Sequence, residues 1–409
     1  MRYVIIGSSA AGINGIRGIR KIDKEGEIIL VSKDEAIYSR CILHHYMEGI
    51  RDLPKLCFVE KDFIEDNHVI WKKGVAVSSL DCEKSAIILE NGEEVSYDKL
   101  LIASGSHSFM PPIPNLREAK GVEGFRNFDD IVRIMEAAKD ADNIVVMGAG
   151  LVGIDCISGR LGMGKKSTLV EMQDRMLSLQ LDKEAASVYE KAFEEKGIKQ
   201  YFSTGISEVK MDADGKICGI ALSNGEELPC DFLVVTAGVR PNIEFLEGSP
   251  VAQDRGLLID EFGRTNVENI YGAGDVTGRG PIWPVAVKEG LIAGQNMAGG
   301  HAKMTDFFAS KSTMNFLGIP TMSLGINTAP DDTYQVDTMK NTKGEYKKVI
   351  HKDGKIYGAI LQGDLSYSGV LTQIIRRNID ISKIKKSIFK IDYSDFFHIK
   401  DNFEFMYEE

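Results

Sequence analysis

The residues best placed for chemistry lie in two glycine-rich stretches. In the first, an apolar run at Val4–Ile6 is followed by Gly7 and then by Gly12. This pattern predicts a buried strand that turns sharply into a helix, whose free N-terminal amides can bind a pyrophosphate. Ser9 stands where such turns usually have their second glycine, and it is small enough for a phosphate to approach. The candidate phosphate-binding residues are Gly7, Ser8, Ser9, Ala10, Ala11 and Gly12.

The second stretch has the complete G-x-G-x-x-G pattern after the apolar run Ile144–Met147. About twenty residues later the next apolar run ends at Glu171, the distance expected for an acidic ribose ligand. A carboxylate there would repel a 2′-phosphate, so the pattern favours NAD over NADP. The candidate binding residues of this stretch are Gly148, Gly150, Leu151, Val152, Gly153 and Glu171.

The first stretch lacks the matching acidic residue. Its second strand, predicted at 27–31, is followed by Ser32 and Lys33, where a dinucleotide site normally has an Asp or Glu. Asp34 or Glu35 can substitute for it from the loop that follows.

Two other apolar runs end in small residues, at 103–105 and 237–238. The layout of strand and small-residue turn therefore occurs twice, which predicts two homologous dinucleotide domains, one inserted in the other. A later apolar run delivers Asp275 just past Gly274. An Asp in that place can accept hydrogen bonds from a polyol or ribose, or it can cap the next helix. The sequence leaves both interpretations open.

One cysteine has neighbours that could make it reactive. Cys41 follows Arg40 and precedes His44 and His45, and positive charge from these groups would lower the thiol pKa and favour a redox role. The alternative is that Cys41 is a small packing residue. The spacing is poor for a metal site, and none of the six cysteines forms a C-x-x-C pair, so no metal is expected. Most of the cysteines are expected to be buried thiols.

Composition limits the class of protein. A chain of 409 residues with 43% apolar residues and 41 glycines suits an α/β enzyme of two or three domains. The formal charge of −11 disfavours a nucleic-acid partner. No apolar run is long enough to span a membrane, and no signal-peptide pattern precedes the first strand. We therefore expect a cytoplasmic protein without membrane contact.

The expected fold class is α/β, with two Rossmann-like dinucleotide-binding domains and a small α+β C-terminal domain. The first domain is expected at 1–112 and 245–302, the inserted domain at 113–244, and the C-terminal domain at 303–409. A β-meander is predicted from Trp71 to Leu101. Helices are predicted at 182–196, 283–298 and 367–378, and hairpin turns at Asn91-Gly92 and Asn224-Gly225.

Basic residues gather near the C-terminus of this otherwise acidic chain. They can form a solvated charged face or a docking patch for an acidic partner. They are Arg376, Arg377, Lys383, Lys385, Lys386 and Lys390.

Taken in order, these motifs resemble the flavoprotein disulfide reductases that have two dinucleotide-binding domains, over about residues 1–300. The resemblance implies that the first domain binds FAD and the inserted domain NAD(H). It implies that Asp275 binds the flavin ribityl chain. It also implies that Asp155, where the family has a Glu, lies near the flavin and nicotinamide in a positioning role. The further implied cofactor-binding residues are Ser32, Lys33, Arg40, Ala103, Ser104, Gly105, Gly274, Val285 and, in the inserted domain, Gly238.

The Tyr-x-Arg-x-x-Leu pattern at 38–43 resembles NADH:rubredoxin reductases and the flavoprotein part of NADH-nitrite reductases. It also overlays the stretch of coenzyme A-disulfide reductases and NADH oxidases that carries one redox cysteine. Cys41 falls at that cysteine, but Ile42 and His44 replace the Gly and Pro of those enzymes. The C-terminal part resembles the small C-terminal domain of the rubredoxin and nitrite reductase branch. It also resembles NADH-coupling subunits of anaerobic iron-sulfur or tungsten enzyme complexes. The candidate catalytic residues are Cys41, Arg40 and Asp155.

Three functions follow from the resemblance. In the first, NADH passes hydride to FAD, and electrons continue to a rubredoxin, a ferredoxin-like subunit or a metalloenzyme subunit. In the second, Cys41 is a redox thiol, and the acceptor is a disulfide, persulfide, peroxide or oxygen. In the third, the chain is a flavin-binding coupling subunit that works only inside a complex. A homodimer is compatible with all three.

Overall fold

The computed structural model of the chain describes residues 1–165, 167–305, 311–342 and 344–407. Its helices are α1 (Ala10–Ile22), α2 (His44–Met47), α3 (Phe63–Asp66), α4 (Phe128–Asp140), α5 (Leu151–Gly162), α6 (Lys183–Glu195), α7 (Trp283–Met297) and α8 (Ser368–Arg376). None of these helices is long and apolar enough to cross a membrane.

The strands are short and evenly distributed along the chain. They are β1 (Arg2–Ile6), β2 (Glu27–Ser32), β3 (Val69–Lys73), β4 (Val77–Asp81), β5 (Ala86–Leu89), β6 (Glu94–Ser96), β7 (Lys99–Ile102), β8 (Ser106–Ser108), β9 (Val122–Gly124), β10 (Ile144–Met147), β11 (Thr168–Val170), β12 (Lys199–Tyr201), β13 (Ile206–Met211), β14 (Ile217–Leu222), β15 (Glu227–Pro229), β16 (Phe232–Val235), β17 (Val239–Pro241), β18 (Ile270–Gly272), β19 (Lys311–Phe316), β20 (Ile319–Gly325), β21 (Gln335–Lys340), β22 (Tyr346–Lys352), β23 (Lys355–Gln362), β24 (Phe397–Ile399) and β25 (Phe405–Tyr407).

The first parallel sheet has the strand order β18-β7-β1-β2-β3. Both faces of β1 are covered: Ile5 belongs to the core shared with α1 and α7, and Val4 to the core shared with β4 and β5. This explains the continuous apolar run, because a strand buried on both faces has no polar side. Helices α1 and α7 touch backbone to backbone, since a Cβ at Gly290 or Gly294 would overlap a carbonyl oxygen of α1.

The second parallel sheet repeats this layout with the order β9-β16-β10-β11-β12. In each sheet the strand before the glycine turn is central. It pairs on one side with the next parallel strand of its unit, β2 or β11, and on the other side with the strand that leads into the small-residue turn, β7 or β16. Along the chain, the strands of the second sheet come after β8 and before β17. These two strands pair antiparallel and form a two-stranded connection to the first sheet. The prediction of two Rossmann-like domains, one inserted in the other, is confirmed. The exact domain boundaries stay a prediction.

The predicted β-meander from Trp71 to Leu101 is wrong at both ends. Trp71 lies in β3, which pairs parallel with β2, and Leu101 lies in β7, which pairs parallel with β1. Only β4, β5 and β6 form an antiparallel meander, with the predicted Asn91-Gly92 turn between β5 and β6. The alternation of apolar residues cannot distinguish these strands, because partner choice depends on segments distant in sequence. The three predicted helices are found as α6, α7 and α8.

The C-terminal sheet is antiparallel, with the order β19-β20-β23-β22-β21, and it packs against the second nucleotide-binding unit. Tyr189 of α6 donates a hydrogen bond to the carbonyl of Ile319 at 2.6 Å. Lys348 of β22 forms a largely buried ion pair of 2.8 Å with Asp182, which caps α6. The opposite face of the sheet is covered by α8 and the segment that follows it.

Candidate cofactor site

A cavity of about 760 Å³ opens at the carboxyl end of the first parallel sheet. Ligands of open α/β sheets bind at this edge. The fold brings most of the predicted FAD residues into its wall, although they come from five separate parts of the chain. The predicted residues that line it are Gly7, Ser8, Ser9, Ala10, Ala11, Ser32, Lys33, Arg40, Cys41, Ala103, Ser104, Gly105, Gly274 and Asp275.

Two predicted FAD residues lie behind this wall. Gly12 is the contact between helix and turn, because a Cβ there would overlap the carbonyl oxygen of Gly7. Val285 is buried, and its α7 neighbours Trp283 and Ala286 line the cavity. The packing role of Gly12 agrees with its predicted place in the turn.

The first glycine turn fits a pyrophosphate. Gly7 has φ +108°, and a Cβ there would overlap the carbonyl oxygen of Ala103, so only glycine allows this close approach. Ser9 stands at the N-cap of α1 without a side-chain cap bond. The first amides of this thirteen-residue helix therefore remain available at the cavity, together with the positive end of the helix dipole.

The polar groups after β2 bind one another. The Ser32 hydroxyl donates to the carbonyl of Asp34 at 2.7 Å and accepts from the Trp71 indole at 2.9 Å. The Asp34 carboxylate accepts from Tyr38 at 2.9 Å and from Arg40 at 2.6 Å. The Asp34 carboxylate is thus occupied by hydrogen bonds to other protein side chains. The neighbouring residue Lys33 is exposed and lines the cavity.

Asp275 is held at the cavity wall by a residue that sequence reasoning missed. Arg126, 149 residues away, donates to the Asp275 carboxylate and also to Ser106 at 2.9 Å. Ser106 donates to the same carboxylate at 3.0 Å. The side chains of Arg126 and Asp275 are 19% and 12% exposed, so this ion pair is largely shielded from water. Nothing in the spacing of the sequence points to Arg126.

Two further residues fix the backbone around the predicted motifs. The buried carboxyl of Glu289 accepts from the Gly274 amide at 2.7 Å, and burial raises the pKa of Glu289 to about 7. The Asn242 amide donates to the carbonyl of Ser104 at 2.8 Å, and the Ser104 hydroxyl donates to the carbonyl of Asn242. Both loops at the cavity are therefore tied to distant parts of the chain.

Cys41 lines the cavity, but its predicted activation is wrong. Arg40 is paired with Asp34, and burial lowers the pKa of His44 to about 4 and also lowers that of His45. Both imidazoles are therefore neutral near pH 7. Desolvation by the surrounding protein and the Asp155 charge raise the pKa of the Cys41 thiol. The structure leaves this thiol protonated rather than activated.

The expectation that most cysteines are buried is also wrong. Cys156 and Cys230 are buried, whereas Cys41, Cys57 and Cys218 are exposed and Cys82 is partly exposed. The number of cysteines in a sequence does not predict their exposure, because this small side chain fits both buried and exposed positions.

The second glycine turn has the backbone geometry of the first. Gly148 has φ +107°, and a Cβ there would lie 2.7 Å from the carbonyl oxygen of Thr236. The Glu171 carboxylate accepts from the amides of Ala149 at 2.6 Å and Gln173 at 2.7 Å. Glu171 thus closes onto the turn, and its role as a ribose ligand stays a prediction. The predicted residues around this turn are Gly148, Gly150, Leu151, Val152, Gly153 and Gly238.

Asp155 lies on α5, one turn after the second glycine turn. Its carboxylate oxygen is 3.3 Å from Nδ1 of His44 on α2. Burial and the neighbouring Glu48 raise the pKa of Asp155 well above its ordinary value. Asp155 therefore lies where the two nucleotide-binding units meet.

Comparisons with known proteins agree with this geometry. Residues 1–290 match the family model of pyridine nucleotide-disulphide oxidoreductases, and residues 311–379 match the C-terminal domain of rubredoxin NAD⁺ reductase. The epsilon subunit of NADH-dependent phenylglyoxylate dehydrogenase from Aromatoleum evansii is 31% identical, over 94% of this chain and 93% of its own length. The NADH-rubredoxin oxidoreductase of Clostridium acetobutylicum is 23% identical, over 96% of this chain and 97% of its own.

A solved structure described as an NAD-dependent persulfide reductase from A. fulgidus has a TM-score of 0.82 at 25% identity. It is matched over 93% of this chain and 77% of its own. The family match confirms the predicted cofactors FAD and NAD(H), and the cradle around Gly7 and Asp275 fits FAD. The chain therefore belongs to the pyridine nucleotide-disulphide oxidoreductase family and is an NADH-dependent flavoprotein oxidoreductase.

Proposed function

We propose that this chain takes electrons from NADH and passes them, through FAD, to a redox protein rather than to a thiol substrate. The observation that carries the proposal is the state of Cys41. Among the described residues it is the one thiol in the cavity wall, and its neighbours raise its pKa. Electrons that enter the cavity therefore have no activated thiol to leave by.

The chain's own residues supply binding and orientation. FAD, when bound, accepts hydride from NADH and can release electrons singly. We propose that the Gly7–Gly12 turn holds its pyrophosphate and that Asp275, fixed by Arg126, binds its ribityl chain. Gly148–Gly153 and Glu171 would bind NADH, and Asp155 would position the nicotinamide side. Holding both cofactors in a dry site favours hydride transfer by orientation.

The relatives support a protein acceptor. One is named for rubredoxin, and another, the assimilatory nitrate reductase electron transfer subunit of Bacillus subtilis, is 28% identical over 96% of this chain. This chain spans 51% of the length of that subunit. The phenylglyoxylate dehydrogenase subunit supports a variant in which the acceptor or donor is a larger enzyme complex. We propose a metalloprotein or iron-sulfur partner, with electron flow in either direction.

The domain assignment belongs to the same proposal. We assign FAD to 1–112 with 245–302, NAD(H) to 113–244, and partner docking to 303–409. The match of 311–379 to the rubredoxin reductase C-terminal domain supports the last assignment. The cytoplasmic location, the anaerobic setting and the homodimer stay predictions.

The proposed basic docking patch becomes smaller in the structure. Lys386 forms ion pairs with Asp392 at 3.0 Å and Asp395 at 2.6 Å, so its charge is largely neutralised within the chain. Lys383, Lys385 and Lys390 are exposed on the same segment. These three lysines, with the exposed Arg376 and Arg377, are the part of the patch that best suits an acidic partner.

Cys41 chemistry is a second candidate, because its side chain is exposed within the cavity wall. In this alternative Cys41 cycles through an oxidised state, such as a mixed disulfide, and the acceptor is a disulfide or persulfide. The likeness to the persulfide reductase structure is compatible with it.

An anaerobic NADH titration of the FAD-loaded protein separates the two candidates. Uptake of two electrons per FAD supports the protein acceptor, and uptake of four electrons supports an oxidised Cys41. In a Cys41→Ser variant we expect unchanged two-electron uptake and turnover with ferricyanide close to that of the unmodified protein. Cys57→Ser is the matched control, since Cys57 is also exposed but lies outside the cavity wall. Loss of disulfide or persulfide turnover in Cys41→Ser alone would establish the second candidate.

A further inference from the structure

Helices α2 and α5 cross with almost no space between them. A Cβ at Gly159 would lie 3.2 Å from Cβ of Met47, and a Cβ at Gly162 would overlap the side chain of Glu48. The two glycines of α5 therefore let α2 approach. This approach brings His44 of the first nucleotide-binding unit against Asp155 of the second.

The two side chains meet largely out of water. Nδ1 of His44 is 3.3 Å from Oδ1 of Asp155, and the side chains are 14% and 20% exposed. Nδ1 of His44 is buried and forms no hydrogen bond of good geometry with any described residue. Asp155 thus places a carboxylate oxygen close to this unpartnered nitrogen, across the boundary between the units.

The remaining charged groups around the pair are few. His45 packs edge-on against His44, with 4.3 Å between the ring centroids. The charge of Glu48, the residue that follows α2, acts on Asp155. Arg51 acts on His45. On the cavity side, the charges of Asp155, Arg126 and Asp275 act on the thiol of Cys41.

Physical chemistry limits the proton content of such a pair. Burial penalises a lone imidazolium and a lone carboxylate, raising the pKa of Asp155 and lowering that of His44. Together, however, they can hold one proton as carboxylic acid with neutral imidazole, or as carboxylate with imidazolium. The pair therefore holds one dissociable proton and has one further position that can accept a proton.

We propose that His44 and Asp155 form a proton-exchange pair that carries away the proton released when NADH is oxidised by one-electron acceptors. The inference rests on the proposed function. NADH and two oxidised acceptors give NAD⁺, two reduced acceptors and one proton, because the acceptors take electrons only. Asp155 lies one turn after the second glycine turn, and its charge acts on the Cys41 thiol in the cavity wall. The pair therefore lies beside the cavity that this proton must leave. His45, which is partly exposed, continues the path to solvent.

The test uses the FAD-loaded protein with NADH and ferricyanide, a one-electron acceptor. His44→Asn and Asp155→Asn leave a polar side chain that can form hydrogen bonds at each position but cannot exchange a proton in its place. We expect each to lower kcat at least about tenfold, in line with general acid–base contributions, and to flatten its pH profile. In His44→Asn, anaerobic reduction by NADH without acceptor should stay within about twofold, because that step releases no proton. Glu226→Gln is the control, because this exposed carboxylate acts on neither His44 nor Asp155, and it should keep the pH profile.

Two measurements keep the test decisive. In the unmodified protein, turnover with ferricyanide should show a solvent deuterium isotope effect that the reduction by NADH lacks. In a His44→Ala variant, added imidazole should restore turnover, which a merely structural role would not permit. A normal pH profile in His44→Asn, or no isotope effect in the unmodified protein, would overturn the inference. Failure of NADH to reduce the unmodified protein would instead overturn the proposed function.

Discussion

The two glycine turns have the same backbone but different surroundings. Gly7 and Gly148 share a φ near +108°. Each packs against the residue that follows a neighbouring strand of its sheet, Ala103 after β7 and Thr236 after β16. The first turn is part of a cavity wall to which residues as distant as Arg126 and Asp275 contribute. None of the residues Gly148–Gly153 lines that cavity, and Glu171 binds the backbone of its own unit.

This difference separates a resident cofactor from an exchanging one. The loops at the first turn are tied together by the Arg126–Asp275 pair and by Glu289, so the release of a nucleotide bound there would require several contacts to open. The contacts of Gly148 and Glu171, by contrast, all lie within their own unit. Under the proposed assignment, the same motif would hold FAD between turnovers at the first turn and let NAD(H) exchange at the second, because the surrounding segments set the barrier to release.

The largest effect is expected from Gly7→Ala. The new Cβ would overlap the Ala103 carbonyl oxygen at a φ that disfavours L-residues, so we expect about 2–4 kcal/mol of destabilisation and loss of bound FAD. The FAD-to-protein absorbance ratio and the thermal midpoint measure this. Gly148→Ala is the matched variant of the second turn and should retain FAD while losing NADH binding. Equal FAD loss in both variants would remove the distinction between the turns.

A smaller, selective effect is expected from Glu171→Gln. The substitution removes the charge that favours ribose hydroxyls over a 2′-phosphate, so the KM for NADH should rise about tenfold and the preference over NADPH should shrink. The FAD content should be unchanged, because Glu171 does not line the first cavity. Glu226→Gln, on an exposed hairpin turn of the same unit, is the control. A change in FAD content with Glu171→Gln would couple the two sites.

A third effect, on stability rather than on nucleotide binding, is a pH dependence that belongs to the first site alone. Burial raises the pKa of Glu289 from 4.5 to about 7, so the folded state binds the proton more tightly than the unfolded state. Stability from this group is therefore present below pH 4.5, is lost as the pH rises towards 7, and changes no further above it. In Glu289→Gln this decline should disappear.

The measurement is the thermal midpoint of the FAD-loaded protein from pH 5 to 8. The unmodified protein should lose stability relative to Glu289→Gln as the pH rises. A parallel pH dependence of both proteins would show that Glu289 does not titrate in this range.

Local patterns in the sequence were enough to predict the glycine turns and the strands before them. Val4–Ile6 and Ile144–Met147 are buried on both faces, and Gly7 and Gly148 adopt the positive φ that the motif requires. These features depend on residues within one strand, turn and helix, where backbone geometry and burial act over a few positions. The repetition of that layout was also sufficient to predict two homologous domains.

Contacts between distant segments were decided only by the tertiary structure. The sequence surrounds Cys41 with cationic groups, but the fold pairs Arg40 with Asp34 and buries His44 beside Asp155, which reverses the expected effect on the thiol. Arg126 reaches Asp275 from the other unit, and no pattern near either residue indicates it. Charge and proton affinity depend on burial and on partners from elsewhere in the chain, so the site's chemistry emerges only when the two units pack together.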